Sequence, residues 1–211
     1  MIGIKTIVGM LVIVIFLCYI CCTNHGRYLC CKSLPTYWPY AINYSSIPLF
    51  KGAKRVVITL TSTPETASNL KTVLNSLLNQ TIRVNEIALN VPYKFKVPEE
   101  IELGATVFRT GKDAKPLDGI LPTIKREGET GTIIIAIDDK HVYGKDFIET
   151  IIRESIDSPD MAVYVNGESQ ILALRPEMIK PVILYDDKPS NLENYLTVKT
   201  RGFDYTENYK L

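Results

Sequence analysis

Asp138 and Asp139 are the residues whose type and spacing point most directly to chemistry. They end a short apolar run, TIIIAI, at residues 132–137. Such a β-branched run predicts a buried strand of an α/β sheet, in which ligands bind outside the carboxyl ends of the strands. Two adjacent carboxylates repel each other unless something neutralises them, and a divalent cation with oxygen ligands commonly does so. An acidic strand-to-helix turn without function carries the same residues, so the pair alone allows both interpretations.

The elements that must position this pair alternate between strand and helix. Apolar and β-branched runs predict strands at residues 55–61, 86–91, 105–109, 132–137, 161–165 and near 171–174. Apolar residues at helical spacing predict helices after residue 64, over 117–126 and 145–155, and near 191–198. The alternation predicts an α/β fold with a mainly parallel sheet, right-handed crossovers and flanking helices.

A turn follows the first predicted strand, with the sequence Thr-Ser-Thr-Pro at residues 61–64. Ser62 can cap a helix, Glu65 can complete a capping box, and Pro64 suits a first helical turn. Leucine and valine then recur at positions 70, 73, 74, 77 and 78. This spacing predicts a helix with one face on the sheet.

The amino-terminal region contains an uncharged apolar segment at residues 6–22, which follows Lys5. The segment is at the short end of the about 17–25 residues that a helix needs to cross a bilayer. We favour an uncleaved transmembrane helix because its end, YICC, offers no small-residue cleavage site, and a cleaved signal peptide is the alternative. Basic residues flank the segment on both sides, so the charges do not decide the membrane orientation. The chain is therefore expected to be a single-pass membrane protein.

Composition excludes some classes of protein. All five cysteines lie between residues 18 and 31, so disulfides do not cross-link the rest of the chain. The formal net charge is +1 and the basic residues are scattered, which gives no electrostatic case for nucleic-acid binding. The organisation expected is a membrane anchor at 1–22, a stem or linker rich in Pro, Tyr and Ser at 23–53, and a folded domain at 54–211.

Several short motifs resemble those of family 2-like glycosyltransferases of the GT-A type. They are Thr-Ser-x-Pro at residues 61–64, Leu-Leu-Asn-Gln-Thr at 77–81, the Ile-Asp-Asp strand end at 137–139, and Lys-Asp-Phe-Ile at 145–148. The resemblance extends over about residues 55–203 and is dense up to about residue 165.

This resemblance implies a GT-A-like fold and transfer of a sugar from a nucleotide-sugar to a glycan, lipid or protein acceptor. It implies a divalent metal, Mn²⁺ or Mg²⁺, on Asp139, where the metal would stabilise the charge that develops on the departing nucleotide diphosphate. By the same analogy Asp186 or Asp187 would be the general base for the acceptor hydroxyl. The nucleotide-sugar would contact five residues: Thr61, Ser62, Pro64, Lys115 and Asp138.

Three positions depart from the family pattern. Lys140 stands where the family usually has a third acidic residue, Thr66 where it commonly has an arginine, and Gly119 lies in a region where a Gly-Pro phrase is usual. A lysine beside the acidic pair can neutralise it internally and replace part of the metal's electrostatic role. The alternative hypothesis is therefore a non-catalytic relative that keeps the fold and uses its surface for binding or assembly.

Overall fold

The computed structural model describes residues 3–110, 116–128, 130–180 and 192–211. Seven strands form its larger sheet: β1 Arg55–Thr61, β2 Glu86–Pro92, β3 Thr106–Thr110, β4 Thr132–Ile137, β6 Met161–Val165, β7 Glu168–Leu174 and β8 Lys199–Phe203. Two short strands, β5 His141–Val142 and β9 Tyr209–Lys210, pair antiparallel in a separate sheet. The helices are α1 Ile4–Cys22, α2 Asn24–Ser33, α3 Ile42–Ser46, α4 Ala67–Leu78, α5 Glu99–Glu102, α6 Pro116–Arg126 and α7 Phe147–Asp157.

The larger sheet has the strand order β3-β2-β1-β4-β7-β6-β8. β7 is antiparallel to both of its neighbours, whereas the other pairs of adjacent strands are parallel. The chain therefore builds outward from β1 to β3 on one side and returns to β4 on the other side of β1. Ligands in open α/β sheets bind at such a reversal of strand order, outside the carboxyl ends of the strands. The predicted mainly parallel α/β sheet is confirmed.

Helices cover both faces of the sheet. Along β4, Ile133 and Ile135 belong to the same buried cluster as the apolar faces of α4 and α7. Ile134 between them belongs to a second cluster, which includes Ile120 and Ile124 of α6. The alternation of side chains along a strand explains this division, because successive residues point to opposite faces. An apolar run such as TIIIAI is what a strand buried on both faces requires.

Helix α1 presents exposed apolar side chains along its length, from Ile7 to Leu17. The sequence predicts that this segment crosses a membrane as one helix. Among the described residues, no single helix is long and apolar enough to do so. A pair of helical segments, Lys5–Tyr19 and Asn24–Ser33, is long and apolar enough when the two are taken together. The two segments are bent by 90° relative to each other.

The structure differs from the expected stem over residues 23–53. Helices α2 and α3 and an irregular helical segment, Thr36–Ala41, occupy most of it, and Cys31 and Tyr40 are buried in the main core. The side-chain amide of Asn75 on α4 donates a hydrogen bond of 2.8 Å to the Cys31 carbonyl oxygen. These helical pieces are too short to show a sustained period in the sequence, which explains why a linker was expected.

The helix expected near residues 191–198 is replaced by a short 3₁₀ turn, Leu192–Tyr195, and then by β8. Backbone hydrogen bonds here run to a neighbouring segment and not along a helix. Lys180 N donates to the Tyr195 carbonyl oxygen at 2.8 Å, and Thr197 N donates to the Met178 carbonyl oxygen at 2.8 Å. Tertiary pairing therefore overrides the local helical pattern.

Candidate active site

A cavity of about 230 Å³ opens at the carboxyl ends of β1 and β4, where the strand order reverses. Segment 136–140 forms one of its walls, and Ile120 of α6 contributes an apolar side chain. Hydroxyl groups are supplied by four threonines: Thr59, Thr61, Thr63 and Thr66. The cavity therefore combines hydroxyl groups, an apolar wall and the two aspartates predicted from the sequence.

Asp138 is bound by its own loop. Its Oδ1 accepts a hydrogen bond from Lys140 N at 3.0 Å and lies 2.8 Å from His141 Nδ1. The Tyr143 hydroxyl accepts from Asp138 N at 3.1 Å and lies 2.9 Å from the Asp138 carbonyl oxygen and 3.2 Å from Oδ1. Burial acts to raise the pKa of the Asp138 carboxyl, but the hydrogen bonds and charge of His141, with the other donors, lower it overall. Asp138 is thus a stabilised anion that shapes the turn.

Asp139 has the opposite environment. The residue is only 5% exposed, and its Oδ2 is buried and has no hydrogen-bond partner among the described residues. Burial raises the pKa of the carboxyl, and the charge of Asp138 adds to this rise. The Thr66 and Ser62 hydroxyls lie close enough to oppose the rise in part, although Ser62 Oγ is itself buried without a well-formed hydrogen bond. A buried acceptor without a donor costs about 1–3 kcal/mol, and such an atom beside a cavity can take its donor from water or from a ligand.

The described residues contain no group of three or more His, Cys, Asp or Glu side chains that could hold the expected divalent metal. Asp138 and Asp139 both line the cavity, although Asp138 Oδ1 is already shared among three donor groups. A cation at a nucleotide is commonly held by one or two carboxylates together with phosphate oxygens and water. The metal predicted at Asp139 therefore stays a prediction, with these two aspartates as the carboxylates beside the cavity among the described residues.

The other residues predicted for the nucleotide-sugar site fall in different places. Thr61 and Asp138 line the cavity, and Ser62 is buried beside the Asp139 carboxyl. Pro64 is exposed in the turn before α4. Their roles in binding stay predictions. Three further predicted site residues lie outside the described residues: Lys115, Asp186 and Asp187.

The turn after β1 is not the capping box that the sequence suggested. Helix α4 begins at Ala67, with Thr66 at the N-cap position and without a side-chain capping bond. Thr63 N instead donates to Thr66 Oγ1 at 3.2 Å. Ser62 is consequently buried in the floor of the site, and its backbone N donates to the Asn90 carbonyl oxygen of β2 at 3.2 Å.

The Leu-Leu-Asn-Gln-Thr motif fastens the end of α4 to the chain beyond the aspartates. Gln80 Nε2 donates to the carbonyl oxygens of Ser76 at 2.9 Å and Gly144 at 2.8 Å, and its Oε1 accepts from Ile148 N at 3.0 Å. Ser76 Oγ accepts from Tyr143 N at 3.1 Å. Both side chains are buried. This buried set of hydrogen bonds fixes Tyr143, whose hydroxyl in turn holds Asp138.

Arg27 of α2 joins the same region. Its Nε donates to the Tyr143 carbonyl oxygen at 3.0 Å, and its Nη2 donates to the carbonyl oxygens of Ser76 at 3.0 Å and Asn79 at 2.8 Å. Two of these acceptors belong to the carboxyl end of α4, where helical carbonyl groups lack partners and carry partial negative charge. A residue beyond the apolar amino-terminal helix therefore supports the loop of the candidate site.

The residues after β8 also contact this loop. β9 pairs with β5, directly after the aspartates, and Leu211 N donates to the Lys140 carbonyl oxygen at 2.7 Å. The Tyr209 ring stacks on Tyr28 of α2 with a centroid distance of 4.9 Å. Gly144 N donates to Asn208 Oδ1 at 3.1 Å. The acidic loop is thus held on one side by α4 and α2 and on another by residues 208–211.

Sequence reasoning found the aspartates but missed most of the residues that hold them. Gln80 was part of a motif, and its spacing gave no sign of the contacts that it makes more than sixty positions away. Arg27 and Tyr209 carry no local signal, because their partners come from other elements of the fold. A buried Thr59 also joins the Asn90 side chain and Thr123 through hydrogen bonds of 2.9 Å beneath the cavity.

Comparison with solved structures identifies the architecture. The chain superposes on CMP:2-keto-3-deoxy-manno-octonic acid synthetase, complexed with CTP, with a TM-score of 0.53 at 12% identity, covering 72% of this chain and 90% of that one. The chain therefore shares its α/β fold with this synthetase. This agrees with the fold that the sequence motifs suggested. At such low identity the likeness concerns the fold alone.

Weaker similarities to two other solved structures accompany this match. GalNAc-T7 with UDP, GalNAc and Mn²⁺ matches with a TM-score of 0.44 at 11% identity, over 64% of this chain and 32% of that one. Mannosyl-3-phosphoglycerate synthase from Rubrobacter xylanophilus matches with a TM-score of 0.45 at 10% identity, over 75% and 65% of the two chains. By sequence, no protein-family model and no curated protein matches the chain.

Proposed function

We propose that this protein binds a nucleotide-sugar in the cavity at the carboxyl ends of β1 and β4 and transfers its sugar to an acceptor. One observation carries the proposal: Asp139, whose buried Oδ2 has no hydrogen-bond partner among the described residues, lines a cavity together with four threonines. A ribose or sugar hydroxyl supplies the donor that this oxygen lacks. The position at the reversal of strand order is the usual ligand site of an open α/β sheet.

The residues of the cavity have distinct parts in this proposal. Asp139 orients the donor through a charge-assisted hydrogen bond, which is stronger than a neutral one. Asp138 keeps the loop in shape through its bonds to His141 and Tyr143. The apolar surface of Ile120 excludes water from one wall of the cavity. In the transfer itself a general base must accept the proton of the acceptor hydroxyl, and Asp186 or Asp187 is proposed for this step from the family resemblance.

The acceptor is proposed to be a glycan, a lipid or a protein, and attachment to a membrane is proposed through the apolar surface of α1. The exposed apolar side chains of this helix support the attachment. Burying them in lipid would contribute about 25 cal/mol per Å² of apolar surface. Carbonate washing of membranes that contain the full chain tests the attachment, because a peripheral protein is released and an inserted one is retained. Recovery in the wash would contradict it.

Calorimetry on the full chain in detergent tests the donor site. UDP, GDP, CDP and CMP are titrated in Mn²⁺ and again in EDTA. The series identifies the preferred nucleobase, and the two buffers show whether binding needs a metal. We expect binding of at least one nucleotide, and we expect Asp139→Ala to weaken it about tenfold or more, the scale of one charge-assisted hydrogen bond in a buried site. The full chain is required because α2 packs on α4 and supports the loop.

The matched control is Asp160→Ala, which removes an exposed aspartate in the turn after α7. Its nucleotide affinity should equal that of the unmodified chain. If no nucleotide binds in either buffer, or if Asp139→Ala binds as tightly as Asp160→Ala, the proposed function is wrong. Folding of both variants is checked by circular dichroism, so that loss of binding is not confused with loss of structure.

A second candidate function is nucleotide binding without transfer. The observation that favours it is Lys140, which lines the cavity where the family usually has a third acidic residue. Incubation of the full chain with the nucleotide-sugar that binds separates the two functions. Release of the free nucleotide, with or without an added acceptor, indicates transfer or hydrolysis, whereas unchanged donor over long incubation indicates a binding protein.

A further inference from the structure

We propose that the acceptor of the sugar is a lipid of the membrane to which α1 attaches, with its headgroup entering the cavity from the membrane surface. The proposal rests on the proposed function and narrows its three classes of acceptor to one. It follows from contacts that join the end of α1 to the loop that carries Asp138 and Asp139, and from an exposed face of α2 that suits a bilayer surface.

The folded domain begins directly at the end of the apolar helix α1. Thr23 alone separates α1 from α2, and Arg27 lies about 6 Å further along α2 by the rise of a helix. Arg27 Nε donates to the Tyr143 carbonyl oxygen at 3.0 Å, and the Tyr143 hydroxyl lies 3.2 Å from Asp138 Oδ1. Packed residues therefore fix the height of the candidate site above the membrane, whereas an extended stem would leave it free.

A row of aromatic rings runs from α1 toward the same loop. The Tyr19 ring, in the last turn of α1, lies 6.2 Å from the His25 ring, which lies 5.8 Å from the Tyr209 ring. Two residues of extended chain reach about 7 Å from Tyr209 to Leu211, whose N donates to the Lys140 carbonyl oxygen at 2.7 Å. Lys140 lines the cavity. Three rings, a short strand and one hydrogen bond thus join the end of α1 to the edge of the cavity.

Helix α2 has an exposed face that suits a membrane surface. His25, Leu29 and Lys32 are exposed and share this face, because their spacing is i, i+4, i+7. Tyr37 and Trp38, which follow α2, are 59% and 62% exposed. Tyrosine and tryptophan collect at the membrane interface, and a lysine there keeps its ammonium group among the lipid phosphates. We call these five residues the membrane face, and its occupant is a bilayer surface because it continues the exposed apolar surface of α1.

The position of the site favours a lipid over the other two classes of acceptor. The headgroup region on each side of the hydrocarbon core is about 5–8 Å thick, so a loop joined this closely to the end of α1 meets lipid headgroups. Residues 23–53, which an extended stem would need, are instead largely helical and packed on the core. A bilayer also keeps its lipids at high effective concentration beside an attached site.

The transfer joins the sugar to a hydroxyl oxygen of the lipid headgroup. The bond between the anomeric carbon and a phosphate oxygen of the nucleotide breaks, and its electron pair leaves with the nucleotide. A new bond forms between the anomeric carbon and the lipid oxygen, and the hydroxyl proton passes to the general base. The products are a glycolipid and the free nucleotide.

The first experiment follows the transferred sugar. Membranes from cells that express the full chain are incubated with tritiated sugars of the tightest-binding nucleotide, for example UDP-glucose and UDP-N-acetylglucosamine for UDP, and lipids are extracted with chloroform and methanol. We expect tritium in the lipid extract, and we expect Asp139→Ala to lower it about tenfold or more, the scale of one charge-assisted hydrogen bond. Asp160→Ala should incorporate as much label as the unmodified chain.

The second experiment measures where the domain lies on the membrane. Trp38 is the only tryptophan of the chain, so its fluorescence reports on the membrane face. The full chain is reconstituted in phosphatidylcholine vesicles with and without lipids brominated near the headgroup, which quench a nearby indole ring. We expect quenching of Trp38 and, in a Trp38→Phe chain, of a probe introduced by Tyr209→Trp. The control is Tyr195→Trp in the same Trp38→Phe chain, because Tyr195 packs on the face of the sheet opposite α4. It should not be quenched.

Each outcome decides between the lipid acceptor and the proposed function. Label found only in protein, in water-soluble glycan or in free sugar overturns the lipid acceptor and leaves the donor site standing. Donor that stays unchanged overturns transfer itself and the lipid acceptor with it. Absence of quenching at Trp38 and at position 209, or equal quenching of the control, shows that the site does not lie at the headgroups and also overturns the proposal.

Discussion

The two aspartates at the end of β4 are neighbours in sequence and differ in almost every physical respect. Asp138 is surrounded by donors from its own loop, and this loop is held by Ser76, Gln80 and Arg27. Asp139 lines the cavity, and its buried Oδ2 has no hydrogen-bond partner among the described residues. We call the first set, Arg27, Ser76, Gln80, Asp138 and Tyr143, the clamp. The cavity side is the set Ser62, Thr66, Asp139 and Lys140.

The comparison separates stability from function. Every polar atom named in the clamp has a partner, so removing one partner leaves others buried and unsatisfied, which is costly. The cavity side already contains unsatisfied atoms, Ser62 Oγ and Asp139 Oδ2. Substitution there should cost little or even stabilise, because functional sites tolerate local free-energy costs for the sake of binding. Mutations on the two sides should therefore have opposite effects on folding.

Arg27→Ala should have the largest effect. The change leaves three carbonyl oxygens without the guanidinium donors that reach them at 2.8–3.0 Å. We expect the free energy of unfolding to fall by about 3 kcal/mol, because hydrogen bonds from charged groups are worth more than neutral ones. Urea denaturation of the full chain measures this. Arg153→Ala is the control, since its ion pair with Glu149 is exposed and should contribute less than about 0.5 kcal/mol. Equal losses for the two variants would contradict the role of the clamp.

Gln80→Met should have the next largest effect. Methionine has a similar shape, but it cannot donate to the carbonyl oxygens of Ser76 and Gly144 or accept from Ile148 N. We expect a loss of about 2 kcal/mol, the cost of leaving buried backbone groups unsatisfied. Hydrogen exchange of the amides at residues 143–148 should accelerate, because this segment loses its attachment to α4. Unchanged exchange there would show that the motif does not hold the loop.

The sequence predicts the strands and the aspartate site because those signals are local. The run before Asp138 is apolar on both faces, and the mainly parallel sheet follows from alternating strands and helices. The clamp is invisible at that level, because Arg27 and Gln80 act on residues far along the chain. The segment at 23–53 was expected as a linker for the same reason: its burial depends on α4, which only the fold brings to it.

Asp138→Asn tests the clamp residue that also lines the cavity. The folded state lowers the pKa of this carboxyl below its ordinary value of 3.8, so the charged form stabilises the fold. This contribution to stability is present at a pH above the ordinary pKa and is lost as the pH falls through the lowered pKa. At pH 7 we expect the substitution to cost about 1–2 kcal/mol, the worth of hydrogen bonds to a charged group. The cost should shrink toward the acid end of a urea series run from pH 7 to pH 3. If the loss of stability does not change with pH, it arises from the altered shape of the side chain and not from the lost charge.

Asp139→Asn should have the smallest effect, with the opposite sign. Burial raises the pKa of this carboxyl above its ordinary value of 3.8, so the folded state holds the proton more tightly than the unfolded state does. This carboxyl therefore costs the fold no stability at a pH below its ordinary pKa. The cost in stability increases as the pH rises from the ordinary pKa to the raised pKa. We expect the variant to be about 1 kcal/mol more stable than the unmodified chain at pH 7, the scale of one unsatisfied buried polar group. The same urea series should show this gain disappearing near pH 3.

Ser155→Ala is the control for that gain, because it removes another buried hydroxyl without a hydrogen-bond partner, on α7 and outside the cavity lining. Its effect on stability should be the same at pH 7 and pH 3. A gain for Asp139→Asn that persists at low pH would show that the cost lies in packing around the side chain. A loss of stability at pH 7 would show that Asp139, like Asp138, belongs to the structure of the loop, and the contrast between the two aspartates would no longer hold.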